Sequence, residues 1–135
     1  MGWNQDIIEQ FRANQGTMPS GQFKGRVLLL LTTKGARSGK PFTTPLAFTR
    51  SGEDYVVIAS KGGMPTNPDW YHNLVAHPTV TVEVGPEKFQ ARARVTEGDE
   101  RDRLFDAQVA LMPGFGEYQQ NTTRVLPVIV LERTS

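Results

Sequence analysis

Between Arg26 and Ser60 lie three apolar, strand-like runs, Arg26–Lys34, Phe42–Arg50 and Tyr55–Ser60, joined by turns too short to hold a helix. Such connections force successive runs to pair antiparallel, so this part of the chain reads as a meander. Two further strands, Thr79–Val84 and Lys88–Val95, flank the turn Gly85-Pro86, and Pro127–Glu132 closes the series. The run 88–95 alternates cleanly: Phe89, Ala91, Ala93 and Val95 face one way, Lys88, Gln90, Arg92 and Arg94 the other. A period of two with one apolar face is the pattern of a half-buried antiparallel strand.

Helices are expected between and beside these strands. Trp3, Ile7, Ile8 and Phe11 recur at helical spacing over residues 4 to about 14, and Gly16 ends the run. The apolar stripe suits packing. Asp6 and Glu9 against Arg12 do not make the basic polar face of a membrane-surface helix. Asn67-Pro68 has the form of an N-cap with proline at the first helical position, for a helix to about Ala76 that stops before Pro78. Thr96 with Asp99 three residues on resembles a capping box for a helix to about Met112. Pro113-Gly114 breaks it, and a short helical turn follows near Gly116–Thr122. About six antiparallel strands with three to four short helices predict a mainly β fold, a small barrel whose openings the helices cover.

With 135 residues the chain makes one domain, residues 1–22 being an N-terminal helix and loop and 23–135 the barrel. The absence of cysteine excludes a disulfide framework and thiolate-bound metal. The longest strongly apolar run, Val27–Leu31, is far too short to cross a bilayer, and the first residues lack the form of a signal peptide. A cytoplasmic location is the expectation.

Net charge is only +1, yet seven cations between Lys24 and Lys61 (Lys24, Arg26, Lys34, Arg37, Lys40, Arg50, Lys61) face only Glu53 and Asp54. A local excess in a near-neutral chain suits a compact polyanion better than nucleic acid, which favours a broad basic face. Two glycine-rich basic loops carry it, 34–40 (Lys-Gly-Ala-Arg-Ser-Gly-Lys) and 60–63 (Ser-Lys-Gly-Gly). The first is no nucleotide P-loop. It has three residues between its glycines where four are required, and Pro41 where a magnesium-holding Ser or Thr would stand. What remains is a hairpin loop with free N–H groups, Arg37 able to grip a phosphate bidentately and Lys40 as a point charge. In the second loop Gly62 and Gly63 let the backbone approach a ligand closely beside Lys61. Either loop alone could be an ordinary turn; together, at strand ends, they point to one anion-binding groove.

The remaining polar residues suggest no dedicated chemistry. His72 and His77 have no partner at ligand spacing and read as surface or capping residues. Asp99, Glu100, Asp102 and Asp106 read as the solvated face of a helix, and there is no metal-binding motif. From residues alone the reading ends at a small β-barrel that binds an anionic ligand.

The segments LLLLTTKGARSGKP, VVIASKGGMPTNPDWYHNLVAHPTV and RVLPVIVLER resemble the deazaflavin-dependent nitroreductase family, over about residues 22–133. These are actinobacterial split β-barrel oxidoreductases related to the FMN-binding split barrels. The resemblance implies coenzyme F420, a deazaflavin with a phosphodiester and an oligoglutamate tail, lying in a basic groove. By position, Arg37, Ser38 and Lys61 would hold the phosphate, and Ala59, Ser60, Gly62 and Gly63 would line the ring. Pro45, Leu46, Trp70 and Asn73 would flank the cofactor; Lys24, Lys34 and Lys40 are added on charge and nearness.

The implied activity is hydride transfer from reduced F420 to a small electrophilic acceptor such as a quinone, an enone or a nitroaromatic, with Ser60 and Tyr118 as candidate catalytic groups. Nitroimidazole-reducing relatives carry a cluster of tyrosines over the substrate pocket. Here Met112, Phe115 and Tyr118 stand at those positions, so the pocket is less polar and suits a bulky apolar acceptor. Alternatives left open are a non-catalytic F420 carrier and an FMN-dependent split-barrel enzyme. Expected partners are the small-molecule acceptor, no nucleic acid, a second copy of the chain if it dimerises, and peripheral contact of the first helix with the inner face of the plasma membrane.

Overall fold

A computed structural model describes residues 3–13, 28–60, 67–122 and 125–134, with side chains of the first helix from Ile7 onward. The loop expected over 17–25, the start of the first strand and the glycine loop 61–63 lie outside the described residues. In chain order the elements are α1 (Trp3–Ala13), β1 (Leu29–Lys34), β2 (Pro41–Leu46), β3 (Thr49–Ser51), β4 (Asp54–Ile58), α2 (Asp69–Ala76), β5 (Thr79–Val84), β6 (Glu87–Val95), α3 (Gly98–Leu111), α4 (Gly114–Gln120) and β7 (Val128–Arg133).

The strands form one antiparallel sheet in the order β2-β1-β5-β6-β7-β4-β3. Its two outermost strands, β2 and β3, are consecutive in the chain and separated only by Ala47 and Phe48. Three residue steps span at most roughly 11 Å. Six strand spacings in a flat sheet would place those edges on the order of 30 Å apart. The sheet must therefore curl until its edges approach, and the result is a split barrel.

This closure corrects two expectations. Phe42–Arg50 is not one strand: Leu46 pairs with Leu29 at one edge, and Thr49 pairs with Val56 at the other. The first strands are also not a meander, because β4 pairs with β3 and β7 and never with β2. The expected six strands thus become seven.

The leucine run at the start of β1 is buried on both sides. Leu29 and Leu31 point into the barrel with Tyr55, Val57, Val82, Phe89 and Leu131. Leu28 and Leu30 point outward, under Ile7, Ile8 and Phe11 of α1. Ile7, Ile8 and Phe11 of the α1 stripe are thus spent on internal packing, as their spacing predicts. Arg12 clamps the helix down by donating two hydrogen bonds, 2.9 and 3.1 Å, to the Glu83 carboxylate of β5. In β6, Phe89, Ala91 and Ala93 face the core as their alternation predicts, while Val95 at the strand end is exposed.

On the other side α3 and α4 cover the outer face of β4 and β7, where Leu104 and Phe105 meet Val56, Ile58, Val128 and Val130. Neither expected cap forms as read. Helix α3 begins at Gly98 behind Glu97, and the Thr96 hydroxyl instead donates to the Val128 carbonyl at 2.8 Å. Helix α2 begins at Asp69, so Pro68 occupies the N-cap position and not the first helical one. Both starts lie one residue later than expected, with Pro68 and Glu97 at the N-cap positions.

Candidate cofactor cleft and acceptor pocket

The β1–β2 hairpin carries the basic loop, and the loop's own hydrogen bonds shape it. Gly35 N–H donates to the Lys40 carbonyl (2.8 Å), Gly39 N–H to the Gly35 carbonyl (3.0 Å) and Lys40 N–H to Ser38 Oγ (3.2 Å). Gly39 sits at φ +72°, a conformation that favours glycine. Gly35 is needed for space: a Cβ there would lie 2.6 Å from Ser38 Oγ and 2.8 Å from the Phe42 ring. The Ala36 N–H is taken by Asn73 Oδ1 of α2 at 3.0 Å, while Asn73 Nδ2 donates to Thr33 Oγ1 at 3.2 Å.

This leaves the backbone N–H groups of Arg37 and Ser38 without a partner among the described residues. Nor do the side chains of Lys34, Arg37 and Lys40 form ion pairs there. Two free amides and an unpaired guanidinium on a rigid turn form a cradle for an anion. The cradle opens on a cleft of about 560 Å³ lined by Gly35–Ser38, by Phe42, Thr43 and Thr44 of β2, and by Asp69, Trp70, His72 and Asn73 of α2. The cleft joins a cationic rim to aromatic walls, and so fits a ligand with an anionic group attached to a flat ring. Among the described residues no group of His, Asp and Glu could hold a metal ion.

A second cleft of about 580 Å³ lies at the other end of the β2 segment, lined by Leu28, the corner residues Ala47 and Phe48, and Leu111, Met112, Pro113, Gly114, Phe115 and Tyr118. Phe115 and Tyr118 meet edge to face, ring centroids 5.5 Å apart. The lining side chains are apolar apart from Tyr118, whose hydroxyl adds to the backbone polar groups exposed in the cleft.

Of the residues expected at the cofactor, Arg37, Ser38, Trp70 and Asn73 are brought together in the first cleft. Lys40 is exposed on the same loop. Pro45 and Leu46 lie on β2 between the two clefts, Leu46 packing toward the barrel interior. Ala59 is fully buried in the core, its N–H donating to the Pro127 carbonyl, and Ser60 emerges half-buried at the end of that strand. Lys24, Lys61, Gly62 and Gly63 lie outside the described residues. Met112, Phe115 and Tyr118 all line the second cleft.

Sequence reasoning missed Asp69 and His72, which share one face of α2 with Asn73 at i, i+3 and i+4. That spacing was available as a signal. It also missed Phe42, which is half exposed at the cleft mouth, and Ala47 and Phe48, which gain their place only from the barrel corner.

Comparison with known proteins agrees with this geometry. The F420H2-dependent quinone reductase family matches residues 3–133. An F420H2-dependent quinone reductase of Mycobacterium tuberculosis is 41% identical over 108 residues, 78% of this chain and 72% of that protein. The solved structure of an F420-H2 dependent reductase, FDR-A, superposes with a TM-score of 0.72 at 40% identity, covering 78% of this chain and 93% of that one. Another solved structure, described as a domain-swapped dimer, has a TM-score of 0.75 at 37% identity over 96% of this chain and 97% of that one. The chain therefore belongs to the F420H2-dependent quinone reductases, oxidoreductases whose cofactor is coenzyme F420.

Proposed function

We propose that this chain binds the phosphodiester of F420 on the 35–40 loop, lays the ring along Trp70 and β2, and reduces a quinone held in the apolar cleft under α4. The observation that carries this reading is the pair of N–H groups at Arg37 and Ser38, without partners among the described residues, on a loop that Asn73 holds in place. When bound, F420H2 would supply a hydride and release its second proton to solvent; the hydride with one proton from the protein or solvent converts a quinone to its quinol.

The chain's own residues do the rest. Arg37 and the two amides fix one end of the cofactor, so that its orientation is set before an acceptor arrives. Phe48, Leu111, Met112 and Phe115 exclude water and bind an apolar ring. The Tyr118 hydroxyl, which has no partner among the described residues, is placed to donate a proton to an acceptor oxygen. Ser60, half-buried at the end of β4 beside the glycine loop, orients the ring.

The domain-swapped dimer at 37% identity supports a homodimeric state for this chain in the cytoplasm, with quinone exchanged at the inner face of the membrane. Among the described residues no helix is long and apolar enough to cross a bilayer. Among the described side chains of α1, Ile7, Ile8 and Phe11 are buried and Glu9, Arg12 and Ala13 are exposed, so these would offer a lipid surface mainly polar groups.

Titration of F420 followed by deazaflavin fluorescence, with FMN in parallel, tests the cofactor. Micromolar or tighter F420 binding that weakens with salt is expected. Tight FMN binding without F420 binding would sink the reading. Steady-state oxidation of F420H2 by a soluble naphthoquinone then separates a reductase from a carrier, which would bind and not turn over.

A further inference from the structure

Helix α4 carries Phe115 and Tyr118 to the acceptor cleft, yet little in it is self-sustaining. It has seven residues, none buried, and no side-chain N-cap. A helix this short has no stability of its own in water. Its orientation must come from tertiary contacts, and two of these stand out.

One is close packing: a Cβ on Gly116 would lie 3.3 Å from Val109 Cγ1 of α3. The other is a shared hydrogen-bond node. Gln119 Oε1, on α4, accepts from the Leu126 N–H (3.0 Å) and from Arg101 Nη2 of α3 (3.1 Å). Arg101 Nη2 and Nε also donate to the Leu126 carbonyl, at 2.9 and 3.2 Å. The guanidinium lies 4.4 Å over the Phe105 ring, Nη1 meets Asp102 at 3.1 Å, and the side chain is only 13% exposed. Leu126 itself is fully buried ahead of β7. One arginine and one glutamine thus tie α3, α4 and the lead into β7 through both backbone groups of a single residue.

We propose that Arg101 and Gln119 are positioning residues for the acceptor: they hold α4 at the angle that forms the cleft, and so set acceptor selectivity without touching acceptor or cofactor. The proposal rests on the reading of that cleft as the acceptor site. Gln119 follows Tyr118 directly and stands one turn after Phe115, so releasing it lets α4 turn and moves both rings. Neither residue lines either cleft.

The test is steady-state kinetics of the full chain with F420H2 and two acceptors, a benzoquinone and a bulkier naphthoquinone, alongside the Kd for F420. Gln119→Leu should raise the naphthoquinone KM roughly fivefold or more and change the ratio of kcat/KM between the two acceptors. The F420 Kd should stay within about twofold. Gln119→Glu, which keeps the accepting oxygen opposite Arg101, should restore the ratio. Should Gln119→Leu fail to fold, Arg101→Lys, which keeps the charge and loses the two-pronged grip on Leu126, reads the same ratio.

A merely structural role would lower kcat for both acceptors alike and leave KM and the ratio unchanged, and that result overturns the proposal. Phe115→Ala is the companion variant. If it shifts acceptor KM while Gln119→Leu does not, the cleft is the acceptor site and the positioning role is wrong. If neither shifts it, the cleft reading falls and the proposal falls with it.

Discussion

Asn73 on α2 accepts a hydrogen bond from the backbone N–H of Ala36 at 3.0 Å across the cleft, so a helix residue 37 positions away in sequence holds the basic 34–40 loop in shape. Its amide group is completed by Thr33 at 3.2 Å, and the residue is only 9% exposed. Both of its polar atoms bond to protein, so Asn73 supports the loop and also lines the cleft beside it. Asn73→Ala should cost about 1–3 kcal/mol of stability through the buried groups it leaves unpaired. It should also weaken F420 binding about tenfold. Denaturant melts and fluorescence titration measure the two effects separately.

Gly35 and Gly52 make a controlled pair. A Cβ at Gly35 meets Ser38 Oγ at 2.6 Å, whereas one at Gly52 meets nothing within 4 Å and is opposed only by the backbone at φ +61°. Gly52→Ala should cost about 1 kcal/mol and leave F420 binding unchanged. Gly35→Ala should cost about 1–3 kcal/mol by forcing the loop open, and F420 affinity should fall with it. Equal F420 affinity in the two variants would show that the loop shape does not matter for binding.

Arg37 is the loop's forked donor. Arg37→Lys keeps the charge but not the planar pair of N–H groups, so F420 affinity should fall about five- to tenfold with its salt dependence retained. Arg37→Ala should reduce affinity further and flatten the salt dependence, because one cation no longer contributes to the screened attraction. Titrations at low and high ionic strength distinguish the two.

Among the described residues, Glu100 at the start of α3 is a source of acid sensitivity. The hydrogen bonds from Arg94, 2.7 and 3.1 Å, hold the Glu100 carboxyl below its ordinary range, aided by the nearby charges of Arg94 and Arg103. A depressed carboxylate adds stability that is fully present above its unfolded pKa, about 4.3, and is lost as pH falls through the lower folded value. Glu100→Gln should therefore lower the thermal midpoint slightly at pH 7 and by less at pH 3. Paired thermal melts at the two pH values check the sign.

Much of this was readable in the chain. The alternation of Phe89, Ala91 and Ala93 places β6 because side chains of a strand point to opposite faces by covalent geometry, whatever the strand pairs with. The 34–40 loop announced itself because glycines and cations in a turn need no distant residue to expose N–H groups. The amphipathic α1 was legible for the same local reason, and its buried stripe followed.

What the sequence determined by itself is which residues are extended, helical or turning, and which loop carries the excess of cations, since these depend on neighbours a few residues away. The tertiary structure alone decided which strands pair, that Ala47 and Phe48 form a barrel corner inside what reads as one strand, and that Thr96 reaches Val128 instead of capping a helix. It alone brought Asn73 to Ala36, and Arg101 and Gln119 to Leu126. Those contacts join residues 7 to 37 apart in sequence. Their partners are selected by how the sheet curls to bury both faces of Leu28–Leu31, and no local spacing encodes that choice.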